Sequence, residues 1–104
     1  MDFNTYQENI RLYANYHKEL GPFSVILDLI NNVGRLGDKL HIILEENEGT
    51  FTPEDKAKIS ISLGDIINNI SNISSDLGLK LNDIIALNLK KLEMIQQKNE
   101  SLKS

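Results

Sequence analysis

Apolar residues in this chain recur every three to four positions in four separate runs, and no pair of runs reads as strands. That spacing winds an apolar stripe along one face of a helix, whereas a half-buried strand would need alternation at every second residue. The runs are separated by Gly21-Pro22, by Asn47-Glu48-Gly49-Thr50 and by Gly78. Glycine and proline at such places end one helix and start the next. The pattern therefore predicts an all-α fold of four helices.

The first helix is expected from about Thr5 to Lys18, with Asn4 and Gln7 as a capping box and Tyr6, Ile10, Tyr13 and His17 at helical spacing. The second is expected from Pro22 to about Glu46. Its apolar stripe is Ile26, Ile30, Val33, Leu40 and Leu44, and Asp28, Asn32, Arg35 and Lys39 share a separate polar line. The third begins at Thr52-Pro53-Glu54-Asp55, a capping Thr followed by Pro and two acids in the first turn. Its stripe is Ile59, Leu63, Ile66, Ile70, Ile73 and Leu77, beside a polar line of Asp65, Asn69, Asn72 and Asp76, with Ser62 at the border. Gly78 suits a left-handed C-terminal cap. The fourth helix is expected from Leu81 to about Gln97, with Leu81, Ile84, Ile85, Leu92 and Ile95 apolar. Residues 1–98 read as a single helical domain and 99–104 as a polar, frayed tail.

A chain of 104 residues can bury one modest core. Aromatic content is 6% with no Trp, so that core must be aliphatic, and self-association is the expected way to complete it. The absence of Cys removes disulfides, thiolate zinc sites and thiol nucleophiles. Met1-Asp2-Phe3-Asn4 has neither the basic nor the apolar part of a signal peptide, and no apolar stretch is long enough to span a bilayer. A cytoplasmic protein without membrane contact is expected. The net charge of −4 argues against nucleic acid as a partner. The lysines near the C-terminus, Lys90, Lys91, Lys98 and Lys103, complement the negative end of a helix dipole.

Two segments repeat one shape: Asn32-Val33-Gly34-Arg35 and Ser62-Leu63-Gly64-Asp65. Each places two polar side chains three residues apart on one helix face, so two helices can aim four side chains at a shared spot. A glycine inside a helix costs on the order of 1 kcal/mol relative to Ala. Two of them at matching positions imply a close helix crossing or a close ligand.

The order of these pieces resembles the all-α nucleoside triphosphate pyrophosphohydrolases of the MazG-like family. The similarity runs from Asp2-Phe3-Asn4-x-Tyr6-Gln7 through Gly34, Asp38-Lys39 and Leu63-Gly64-Asp65 to Leu77-Gly78-Leu79-x-Leu81 and Asn88-x-x-Lys91-Leu92. The resemblance implies a four-helix bundle completed by homodimerisation or a dimer of dimers. It also implies a magnesium site of four acids, Glu-x-x-Glu and Glu-x-x-Asp, at the positions held here by Asn32, Arg35, Ser62 and Asp65. Only Asp65 is acidic, and the formal charges at the four positions cancel. Magnesium is held through oxygen ligands, mostly carboxylates, and a neutral set gives two divalent ions no reason to bind. The family's frequent aromatic pair is replaced by Asn68-Asn69.

The expected function is therefore that of a catalytically inactive MazG-like protein that binds or sequesters a nucleotide or another phosphorylated ligand without a metal cofactor. Arg35, Lys39, Asn88 and Lys91 would meet phosphate, because guanidinium and ammonium groups suit its oxygens. Asn32, Ser62, Asp65 and Asn69 would meet sugar or base. Structural readings compete: Arg35 paired with Asp65 or Asp28, Lys91 simply solvated, Asn69 and Asn72 bridging helices. Asp28 and Asp65 are the residual metal ligands if the chain is instead a divergent magnesium-dependent pyrophosphohydrolase. A non-catalytic dimerisation or regulatory scaffold is the third reading. His17 and His41 are far apart and carry no metal-binding motif.

Overall fold

The computed structural model describes residues 1–16 and 18–103. Four α-helices follow in order: α1 Phe3–Leu12, α2 Pro22–Asn47, α3 Pro53–Asp76 and α4 Leu81–Lys103, with a single 3-10 turn at Lys18–Leu20. No strand occurs among the described residues. Among the described residues no helix is long and apolar enough to cross a membrane.

The starts of α2 and α3 are set locally. Gly21, at φ +58°, turns the chain into Pro22, which is the first residue of α2. Thr52 accepts a hydrogen bond from the Asp55 N–H, and the Asp55 carboxylate accepts one from the Thr52 N–H, each at 3.0 Å. Both bonds satisfy amides that a helix start leaves without partners. The bond from the Thr52 backbone also holds the Asp55 carboxyl below its ordinary range. At the far end of α3, Gly78 adopts φ +70° and the Leu79 N–H closes onto the Ser74 carbonyl at 2.8 Å. This is the glycine cap anticipated from the sequence.

Helix α1 departs from expectation at both ends. Its cap is Asp2, whose carboxylate accepts from the Thr5 N–H at 2.7 Å. Gln7 does not reach back to form a capping box; it turns toward the junction of α3 and α4. The helix ends at Leu12, where the Tyr13 and Ala14 amides bond only three residues back. Tyr13 is exposed, and His17, the last member of the predicted stripe, lies outside the described residues.

Helices α2 and α3 form an antiparallel hairpin. Asn32 meets Asn69, and Lys39 meets Ser62, so a step of seven on one helix matches a step of seven on the other. Seven residues are two helical turns, the repeat expected of helices packed nearly parallel to each other. From Val25 onward the less exposed positions on α2 are Val25, Leu29, Asn32, Leu36 and Ile43. The stripe anticipated as the core face, Ile26, Ile30, Val33, Leu40 and Leu44, is instead exposed. On α3 the buried residues are polar (Asn69, Ser71, Asn72 and Ser74), while Leu63, Ile70 and Leu77 are exposed. Helix α1 packs on α3 beside these residues and bonds to their half-buried neighbours. Tyr6 donates to Asn68 at 3.0 Å, and Gln7 donates to Ser75 at 3.1 Å.

Helix α4 packs through its first turns only. Leu81 is buried, Ile84 and Ile85 are half-buried, and every residue from Ala86 to Lys103 is exposed. The helix also runs past the predicted end near Gln97, so residues 99–103 are helical rather than a frayed tail. The buried apolar side chains among the described residues are only Val25, Ile43 and Leu81.

Candidate functional site

A cleft of about 890 Å³ lies between the segment after α1, the first half of α2 and the second half of α3. Asparagine dominates its lining. Asn31 and Asn32 come from α2, Asn68, Asn69 and Asn72 from α3, and Asn15 from the connecting segment. Tyr13, Tyr16 and Phe23 add aromatic surface, and Asp28 and Asp65 supply two carboxylates. Among the described residues no Lys, Arg or His lines it.

Hydrogen bonds order part of this lining. Asn32 donates through Nδ2 to Asn69 Oδ1 at 2.7 Å, and Asn69 donates through Nδ2 to Asp28 Oδ2 at 2.9 Å. Asn69 is buried, so its carboxamide is fixed in orientation by one partner on each side. Asn72 is also buried, and its Oδ1 has no hydrogen-bond partner among the described residues. A buried acceptor left unpaired costs roughly 1–3 kcal/mol.

The wall carrying Tyr16 is tied down by a second cluster. Arg11 Nη2 lies 2.7 Å from Asp76 Oδ1, and the Tyr16 hydroxyl donates to Asp76 Oδ2 at 2.8 Å. Arg11 also donates to the Tyr16 hydroxyl, with its guanidinium 5.7 Å from the ring centroid. The Asp76 side chain is only 5% exposed, so its oxygens exchange water for these hydrogen bonds. Partial burial, then the bond to Asp76, raises the Tyr16 phenol above its ordinary value of 10.0. Burial opposes the charge on Arg11, but its bonds to Asp76 and Tyr16 outweigh that and raise it.

The residues singled out from the sequence are only partly brought together. Asn32, Asp65, Asn69 and Asp28 line the cleft. Lys39 donates to Ser62 at 2.9 Å, outside the cleft, further along the hairpin. Arg35 is exposed, and among the described residues it makes neither an ion pair nor a hydrogen bond, so the competing structural reading, a pairing with Asp65 or Asp28, is not seen. Asn88 and Lys91 sit on the exposed part of α4 and do not line the cleft. His41 pairs with Glu45 on the surface at 3.0 Å. No group of three or more His, Cys, Asp or Glu side chains converges among the described residues.

The repeated glycines do not mark a close crossing within the chain. A Cβ built at Gly34 or Gly64 meets nothing within 4 Å. Gly64→Ala is therefore expected to stabilise the fold by about 1 kcal/mol, the ordinary gain of alanine inside a helix. A thermal melt showing a lower midpoint for this variant would contradict that.

Sequence reasoning missed Tyr13, Tyr16 and Phe23 as part of the site, and Arg11 and Asp76 as its support. Asp76 stood on the polar line of α3, but Arg11 and Tyr16 lie 65 and 60 residues from it, and nothing local announces the pairing.

The chain is 26% identical over 69 residues to the Gene 37 protein of Mycobacterium phage L5; the match covers 66% of this chain and 60% of that protein. No family model matches the chain. No solved structure matches it.

Proposed function

We propose that this chain is a non-catalytic binding protein that holds a nucleotide or related phosphorylated ligand without metal. The observation that carries this reading is the amide-lined cleft. Carboxamides both donate and accept, so they suit the edge of a base or the hydroxyls of a sugar. The neighbouring tyrosines and Phe23 offer surface for a ring. Phosphate would extend out of the cleft, because Asp28 and Asp65 repel it and no described cation lies inside. Arg35 and Lys39 continue the polar line of α2 beyond Asn32 and are the cations it would meet.

The frame resembles a MazG-like hydrolase whose acidic set is electrically neutral, which removes the usual basis for magnesium chemistry. A second reading keeps a specific observation: Asp28 and Asp65 line one cleft, so a weak single-ion site would make the chain a divergent pyrophosphohydrolase.

The test is calorimetry and thermal shift with nucleosides and nucleotides, in magnesium and in chelator. Binding that survives chelation is expected. Arg35→Ala should leave stability within about 0.5 kcal/mol, since among the described residues the side chain has no partner to lose. It should weaken nucleotides by roughly 10-fold, about 1.4 kcal/mol, while leaving nucleosides unchanged. Binding or pyrophosphate release only with magnesium would favour the second reading. The absence of any binding across the panel would remove both.

A further inference from the structure

We infer, on the basis of the nucleotide ligand proposed above, that the cleft prefers bases with an exocyclic amino group to bases with a carbonyl at the same position, and that Asp28 sets this preference. The amides that cross from α2 to α3 form a chain with a direction. A carboxylate has no hydrogen to give, so Asn69 can meet Asp28 only through Nδ2, and it does so at 2.9 Å. Asn69 Oδ1 then faces the other way and accepts from Asn32 Nδ2 at 2.7 Å. Asn69 is 7% exposed and held from both sides, so turning its carboxamide over would break both bonds inside the fold. Asn32 is thereby fixed with Nδ2 toward α3, and its Oδ1 is left for a ligand.

Asp28 and Asn32 stand four residues apart, one turn along the same side of α2, and Asn69 bridges them from α3. Among the described residues no other group bonds to Asp28 Oδ1 or to Asn32 Oδ1. Both residues line the cleft, and Asp65 adds a further carboxylate from α3. Asn68 has the opposite polarity. Its Oδ1 accepts from the Tyr6 hydroxyl at 3.0 Å, which leaves its Nδ2 to donate into the cleft it lines. The lining thus offers several acceptors with a donor nearby, and no described Lys, Arg or His adds another donor.

The bases divide on this point. Cytosine and adenine carry an amino donor beside a ring nitrogen that accepts; uracil and hypoxanthine carry a carbonyl beside an N–H at the same two positions. An amino group can give its hydrogens to Asp28, Asn32 or Asp65 while the ring nitrogen accepts from Asn68. A carbonyl in that place sets oxygen against oxygen with no hydrogen between them. Both would lose water and gain no bond. A site built around a hydrogen bond rejects the analogue that cannot make it far more strongly than an apolar pocket rejects a difference in size.

The test is calorimetry in chelator with two pairs of ligands: cytidine against uridine 5′-triphosphate, and adenosine against inosine 5′-triphosphate. The members of each pair share sugar and phosphates and differ only at this edge. The amino member should bind about 10-fold or more tightly. Asp28→Asn places a possible donor at the end of the chain, so Asn69 and Asn32 can both reverse. The preference should then shrink to within about 3-fold, the worth of a weak hydrogen bond. Loss of a merely structural contact would instead weaken both members equally and keep the ratio. Asp28 is exposed, so the variant should fold, and the ratios of the unaltered chain test the preference without it. Equal affinity within each pair, or preference for the carbonyl member, would overturn the inference while the nucleotide proposal stands. An unchanged ratio in Asp28→Asn would overturn the role given to Asp28. No binding of any of these ligands would overturn the nucleotide proposal and this inference together.

Discussion

Asp76→Ala is expected to lower stability by about 2–3 kcal/mol. The carboxylate is almost fully buried and takes bonds from both Arg11 and Tyr16, while the Arg11 side chain keeps 32% of its surface in water. That exposure reduces the cost below that of a fully buried pair. The corresponding fall in melting temperature is roughly 10–20 °C for a domain of this size. Circular dichroism at fixed protein concentration would read it, since association shifts apparent stability. Asp76→Asn, which keeps an acceptor without the charge, should fall between the two. The same cluster sets an alkaline limit. The Tyr16 phenol is raised in the folded state, so its contribution is complete below about pH 10 and is lost as pH rises through the raised value. Tyr16→Phe should cost about 1 kcal/mol at neutral pH and flatten that alkaline decline. An unchanged decline would mean that other groups cause it.

Gln7→Ala should cost about 2–4 kcal/mol, as several bonds made by one buried side chain disappear together. Gln7 donates to the Leu79 carbonyl at 2.8 Å and to Ser75, and its Oε1 accepts the Leu81 N–H at 2.7 Å. The last bond serves as a helix cap supplied from another helix. Leu81 opens α4, and its amide has no partner within that helix. Removal leaves the amide buried and unpaired, so α4 should loosen first. Hydrogen exchange would show faster exchange at the start of α4 before the α2–α3 hairpin responds. Gln7→Glu separates the roles: it can still accept from Leu81 but cannot donate to Leu79 or Ser75. Uniform loss of protection across all four helices would argue against a local capping role.

Parts of this structure were legible residue by residue. Thr52-Pro53-Glu54-Asp55 announced the start of α3 because every bond in that cap lies within four residues. Gly78 announced its end because few other residues tolerate a positive φ. The polar lines of α2 and α3 placed Asn32, Asp65 and Asn69 together before any coordinates, since helical geometry alone aligns such positions. Helix α1 ends at Leu12 rather than near Lys18, and Tyr16 beyond it bonds to Asp76, a partner 60 residues away that no local pattern announces. The core face of α2 was misassigned for a different reason. Val25, Leu29, Leu36 and Ile43 follow the same three-four rhythm as Ile26, Ile30, Val33, Leu40 and Leu44. Periodicity identifies both faces as apolar and cannot say which one meets α3.

Local chemistry thus determined four helices, the starts of α2, α3 and α4, the end of α3 and an electrically neutral set of side chains at the repeated motif. Those properties depend on neighbours within one or two turns, which the order of residues states directly. Tertiary structure decided which apolar face is covered, that Gln7 caps a helix seventy-four residues onward, and that asparagines rather than cations line the cleft. These outcomes depend on which distant groups meet. Burial energy is non-directional, so many pairings would satisfy it. Only the hydrogen-bond partners of the buried amides and of Asp76 single out one of them.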